Sequence, residues 1–126
     1  MDANFNRAKE GLRVCEDVCR FILNAPAATR EYKKIRHQLT AAAKCFSFFK
    51  LIRARNIEQD VGRRTFSAEL KRKDIRDIFY ANSQRMKESV RVLEEFTKLS
   101  NRSSSETFKK IRYKVYALEK KIITKL

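Results

Sequence analysis

Six polar side chains sit where a helical pattern should be apolar: Asn4, Arg7 and Arg36 in the first part of the chain, Asn82, Arg85 and Arg112 in the second. At about 100° per residue, Lys9, Glu10, Arg13, Glu16, Asp17 and Arg20 gather with Asn6 on one arc of the first helix. The rest of that helix is apolar or small except for Asn4 and Arg7, with Gly11 between them. The helix after Asp74 follows suit: Gln84, Lys87, Glu88, Arg91, Glu94, Glu95 and Lys98 take the polar arc, while Asn82, Arg85 and Ser89 interrupt the apolar one. Arg36 lies beside Tyr32 and Leu39, and Arg112 beside Phe108 and Val115.

A guanidinium on a buried face is costly unless it is paired and hydrogen-bonded. Inward carboxylates are few: Glu119 shares an arc with Arg112, and Glu10 and Glu88 lie at the edges of theirs. The surplus of arginine suits an anion, because Arg forks match phosphate oxygens bidentately. Asn4 and Asn82 add amides, and Gly11 and Ser89 are small enough for backbone or ligand to come close. A second reading stays open, in which Arg–Glu crosslinks merely knit the helices together. The outward sets Arg13/Glu16/Asp17 and Arg91/Glu94/Glu95, spaced i,i+3 and i,i+4, read as solvated salt bridges.

These positions recur because the chain says the same thing twice. Residues 3–20 and 81–98 are identical at eight of eighteen aligned positions, and Y-K-K-I-R-H-Q-L at 32–39 answers F-K-K-I-R-Y-K-V at 108–115. The offset falls from 78 to 76, so only the intervening loop changes length. The expectation is an all-α bundle of four main helices, built by internal duplication with pseudo-two-fold symmetry and sharing a site at the seam. One domain, 1–126, would hold repeat one at about 2–46, an irregular segment at 47–73 and repeat two at about 74–126. Asp2 is the expected N-cap of the first helix, which runs to about Leu23, where Asn24-Ala25-Pro26 breaks it. The second helix runs from near Pro26 to about Phe46, and the third from Asp74 to about Leu99. A capping box of Ser103 with Glu106 should start the last.

Within the irregular segment, Asp60-Val61-Gly62 is flanked by Arg53, Arg55, Arg63 and Arg64. Gly62 permits a tight turn, the arginines suit phosphates, and Asp60 suits Mg²⁺ or the orientation of a nucleophile. A D-x-G also occurs in ordinary turns. No phosphate-loop, dinucleotide-binding, nucleophile-elbow or zinc spacing is present. His37 falls toward the outer face. The net charge of +15 favours polyanions, whether phosphorylated metabolites, nucleic acid or an anionic membrane surface. Lysines such as Lys33, Lys34, Lys109, Lys110, Lys120 and Lys121 also read simply as solvating helix faces. Cys15, Cys19 and Cys45, with one His and no ligand cluster, are expected as reduced, buried thiols of a cytoplasmic protein. No signal peptide or long apolar run is seen, so neither secretion nor a membrane span is expected.

D-A-N-F-N-R-A-K-E-G-L-R-V-C-E-D at 2–17 resembles the opening of a helical domain of thiamin biosynthesis, the alternative hydroxymethylpyrimidine phosphate kinase family, often fused in front of thiamin phosphate synthase. The resemblance continues through K-K-I-R-H at 33–37, D-V-G at 60–62, A-N-S-Q-R-M-K-E-S-V-R-V-L-E-E at 81–95 and K-K-I-R-Y at 109–113. With no barrel domain after it, the chain looks like a stand-alone version. The resemblance implies ATP-dependent phosphorylation of 4-amino-5-hydroxymethyl-2-methylpyrimidine phosphate to its diphosphate, with Mg²⁺. Arg7, Arg85 and Asp60 would then serve catalysis, with Asp60 as the Mg²⁺ candidate. Asn4, Asn82, Arg36, Arg112, Gly62, Glu10 and Glu88 would hold substrate and phosphates. A thiamin phosphate synthase is the implied protein partner. Two rivals are a helical nucleic-acid-binding module using the outward lysines, with steeply salt-dependent affinity, and a non-catalytic helper docked on the synthase.

Overall fold

Most starts of the long helices have a reason in the residues beside them. The structure, a computed structural model, describes residues 1–55, 58 and 71–126. In chain order these form α1 (Asp2–Asp17) continued by a π-helical turn (Val18–Ile22), and α2 (Pro26–Ala42) continued by a 3₁₀ turn (Ala43–Cys45). The short α3 (Phe48–Arg53), then α4 (Ile75–Thr97) and α5 (Arg102–Ile123), complete them. There is no strand among the described residues. α1 packs on α2 and α4, and α5 packs on α4 and α2, so the four long helices close into a ring. The expected all-α bundle of four main helices is the observed one.

The first break is the expected one. Asn24 takes φ 46°, a left-handed conformation that Asn tolerates better than most residues, and Pro26 opens α2 with its fixed φ. Asp74 caps α4 by accepting a hydrogen bond from the Asp77 backbone N at 2.9 Å. Two caps differ from expectation. α5 starts at Arg102, where Asn101 accepts from the Ser104 backbone N at 2.9 Å, so the cap falls two residues before the expected Ser103 capping box. Asp2 is the first helical residue rather than the cap, because Arg55 from beyond α3 binds both its carboxylate oxygens.

The interior is filled by Leu12, Tyr32, Ile35, Leu39, Phe79, Met86, Leu93, Phe108 and Ile111. Tyr32 meets Phe79 edge-on at 6.2 Å between ring centroids. Gly11 sets the spacing of α1 and α4: a Cβ there would lie 2.7 Å from the Asn82 carbonyl oxygen and 2.9 Å from Met86 Cβ. Cys15 and Cys19 are buried as expected, and burial pushes the Cys19 thiol up to about 11 and that of Cys15 higher still. Cys45 is exposed, contrary to expectation, because the 3₁₀ turn swings it off the inner face of α2. No helix among the described residues is long and apolar enough to cross a membrane.

Candidate functional site

The surplus arginines divide into two kinds. Glu16 is buried at 3% exposure, with Arg36 Nε at 3.0 Å and Arg13 Nη1 at 3.6 Å. Glu94, also at 3%, receives Arg112 Nε at 3.0 Å and Arg91 Nη1 at 2.6 Å. The second set follows the first at the offsets of the sequence repeat. Glu16 and Glu94 are thus not the solvated surface acids expected of them. The wheel put them on the polar arc correctly, but the neighbouring helix lays an arginine across each. Arg36 ties α2 to α1 and Arg112 ties α5 to α4, as crosslinks, and neither lines the contact between α1 and α4. Burial would lower the Arg112 pKa, but its bonds to Tyr116 and Glu94 outweigh that and raise it.

Arg7 and Arg85 are the other kind. They meet at a cleft of about 600 Å³ between α1 and α4. Asn4 and Arg7 reach it from α1; Gln84, Arg85, Glu88 and Ser89 reach it from α4. Arg72, from the segment before α4, closes one side. Three guanidinium groups therefore face one carboxylate, Glu88. Among the described residues none of the three has a carboxylate within salt-bridge distance, in contrast to Arg36 and Arg112. Arg7 is half-buried and Arg85 exposed, so they form a rim rather than the buried forks that the pattern suggested. Arg72 was missed: it lies in a basic run, K-R-K at 71–73, with no helical register to aim it.

The remaining expected residues scatter. Asn82 donates from Nδ2 to the Ile78 carbonyl in its own helix at 2.8 Å, while its backbone oxygen faces Gly11. Its amide does not line the cleft. Glu10 is exposed and outside the cleft. Asp60 and Gly62 lie outside the described residues. Among those described, no three His, Cys, Asp or Glu side chains group in a way that would hold a metal ion.

Beside the cleft lies a polar pair that the sequence reading did not find. Lys87, 6% exposed, places Nζ 2.6 Å from Glu119 Oε2 and 5.2 Å from the centroid of Tyr116. The available signal was Glu119, inward on α5 without an assigned partner of its own. Clefts continue past this pair. One of about 390 Å³ is bordered by Gln84 and Glu88, shared with the first cleft, and by Arg91, Arg112 and Tyr116. Another, of about 590 Å³ between α4 and α5, shares Arg91 and Arg112 with it.

The sequence model of the ThiD2 family matches residues 1–121. Thiamine-phosphate synthase of Synechocystis sp. is 41% identical over 120 residues, covering 94% of this chain and 34% of that protein. Thiamine-phosphate synthase of Rhodopirellula baltica is 36% identical over 127 residues, covering 100% and 34%. That of Thermosynechococcus vestitus is 39% identical over 120 residues, covering 94% and 33%. The chain thus spans about a third of the length of the curated relatives it matches. No solved structure gives a significant match.

Proposed function

The chain belongs to the ThiD2 family, and on that premise we propose that it acts in thiamin biosynthesis as a phosphotransferase, carrying a phosphoryl group from ATP to 4-amino-5-hydroxymethyl-2-methylpyrimidine phosphate. The observation that carries this reading is the contrast among its arginines. Arg36 and Arg112 are spent on buried glutamates, whereas Arg7, Arg85 and Arg72 meet at one cleft without a carboxylate partner among the described residues. An uncompensated cluster of forks favours a ligand bearing phosphate.

The chemistry asks little else of the protein. A phosphate monoester has its second pKa near 6, so at pH 7 the acceptor is mostly dianionic. Its oxygen is already the nucleophile, and no general base has to remove a proton. That oxygen forms a bond to the γ-phosphorus of ATP. The bond to the β,γ-bridging oxygen breaks, and the electron pair leaves with ADP. The obstacle is repulsion between two anions brought into line, which the arginines at the cleft relieve by neutralising equatorial and attacking oxygens. Glu88, Gln84 and Asn4 supply acceptors and donors for the amino group and ring nitrogens of the pyrimidine. Mg²⁺ in such sites is held largely by the substrate phosphates with one or two carboxylates, and Glu88 is the carboxylate at this cleft.

Relatives three times as long are named thiamine-phosphate synthases, which supports a synthase as the neighbour that consumes the diphosphate. The test is turnover: purified protein, ATP–Mg²⁺ and the pyrimidine phosphate, with ADP and the diphosphate followed in equal amounts. A thermal melt with the pyrimidine phosphate alone should rise, since a ligand at 100 times its Kd adds about 2.7 kcal/mol to the native state. No ADP and no melting shift at saturating substrate would refute the assignment.

A further inference from the structure

We infer that the groove between α4 and α5 binds the nucleoside triphosphate, its base against Tyr113 and Tyr116 and its phosphates running along α4 to the Arg7–Arg85 cleft. This deepens the phosphotransfer reading and rests on it. Three neighbouring clefts make a continuous path. The acceptor cleft and the middle cleft share Gln84 and Glu88, and the middle cleft and the α4/α5 groove share Arg91 and Arg112. Gln84, Glu88, Arg91, Glu95 and Lys98 alternate four- and three-residue steps, so they form one stripe along α4. At 1.5 Å per residue the stripe is about 21 Å long.

The two ends of the path differ in chemistry, as a donor and an acceptor require. Toward the far end, Tyr113 borders the groove and Tyr116 the middle cleft beside it; they are 57% and 41% exposed, with centroids 5.9 Å apart and planes at 82°. The Arg112 guanidinium lies 5.2 Å from one ring and 5.7 Å from the other, fixing both. Exposed aromatic faces beside cations are a sequence-tolerant platform for a nucleobase. Arg91, Lys98, Arg102, Lys109 and Arg112 border this groove; Glu94 holds Arg91 and Arg112, Glu106 holds Arg102, and five cations still exceed these two acids. Arg91 and Lys98 do pair with Glu95, but those pairs are about half exposed and readily surrendered to a phosphate. At the repeat offset, Tyr113 and Tyr116 correspond to His37 and Thr40, so the aromatic platform exists in one half of the chain. One nucleotide per chain follows.

The experiment is an anisotropy titration of the full chain with N-methylanthraniloyl-ADP and Mg²⁺, alongside steady-state kinetics. Wild type should bind one nucleotide per chain. Tyr113→Ala/Tyr116→Ala should bind it at least roughly tenfold more weakly, and Tyr113→Phe/Tyr116→Phe, which keeps both ring faces, should bind within about twofold of wild type. In kinetics the alanine pair should raise KM for ATP and leave KM for the pyrimidine phosphate unchanged, whereas Arg7→Met should lower kcat and raise KM for the pyrimidine phosphate. Wild-type nucleotide affinity in the alanine pair, with turnover intact, would overturn the groove while the kinase reading stood. Tyrosine-dependent nucleotide binding without any turnover would support the groove and sink the kinase reading. A wild-type protein that neither binds nucleotide nor turns over would end both, and two nucleotides per chain would overturn the one-sided assignment.

Discussion

Replacing one arginine at a time by methionine separates crosslinks from ligand-binding groups, because methionine keeps most of the stem and discards the charged fork. Arg112→Met removes the 3.0 Å bond to Glu94 and leaves that carboxylate, 3% exposed, with Arg91 alone. A buried pair broken outright costs about 3–5 kcal/mol. Here Arg91 remains, half exposed, so the loss should fall nearer that of one hydrogen bond to a charged group, about 2 kcal/mol. For a domain of this size that lowers Tm by roughly 8 °C. Arg36→Met should cost at least as much, since Glu16 then keeps only Arg13, at 3.6 Å where Arg91 stands 2.6 Å from Glu94. Arg7→Met and Arg85→Met break no ion pair among the described residues, and surface changes of that kind stay within about 0.5 kcal/mol, or roughly 2 °C. Their cost should appear in turnover instead, a fall in kcat/KM of about 100-fold or more, the magnitude typical of losing a preorganised charge donor. The assays are calorimetric melts and ADP release coupled to NADH oxidation. Arg7→Met or Arg85→Met melting as early as Arg112→Met, or turning over at the wild-type rate, would refute the division of the arginines.

Gly11→Ala gains about 1 kcal/mol of helix propensity but drives a Cβ to 2.7 Å from a backbone oxygen, and overpacking of that kind costs about 1–3 kcal/mol. The urea midpoint should therefore drop, and a higher midpoint would show that α1 and α4 part without cost. Thiol titration of the native protein at pH 8 should modify Cys45 first, with Cys15 and Cys19 reacting only on unfolding, because burial suppresses their thiolates; three thiols reacting at one rate would contradict the packing. The Arg55 bond holds the Asp2 carboxyl below the usual carboxylate range. Its stabilisation should be complete above that range and vanish as pH falls through the lowered value, so Asp2→Asn should lower the urea midpoint at pH 6 and leave it unchanged in strong acid. Equal effects at both pH values would disprove the clamp.

Local rules carried most of the helix boundaries, since a break such as Asn24-Ala25-Pro26 or a cap such as Asp74 acts through its own neighbours. The cap of α5 was harder, because Asn101, Ser103 and Ser104 crowd one turn and only the fold selects among them. The wheel gave the face of every arginine and could not say what lies opposite. Arg36 and Arg7 look alike on their helices, yet one meets Glu16 and the other an open cleft. Lys87 shows the same limit in reverse: it sits on the polar arc and is buried all the same, because α5 crosses above it with Glu119 and Tyr116. Arg72 lay beyond reach for another reason, standing outside any periodic segment.

What the two halves of the sequence share is framework, and what they do not share borders the proposed path of the ligands. Arg13, Glu16 and Arg36 return as Arg91, Glu94 and Arg112 with the same partners, so the crosslinks recur unchanged. Gly11, pressed against a backbone oxygen, answers to Ser89 at the cleft wall. Lys9, over the Phe5 ring, answers to Lys87, which has turned inward to Glu119 where the first half has Ala43. His37 and Thr40 answer to the tyrosines of the groove. Transfer between two different phosphates needs such inequality, because donor and acceptor must enter from opposite ends and meet in one register. Two identical halves would bind either ligand in either place and align neither. On this reasoning the differences matter more than the repeat: restoring equivalence with Tyr113→His/Tyr116→Thr should leave the bundle folded and cost the chain its preference for nucleotide at one end.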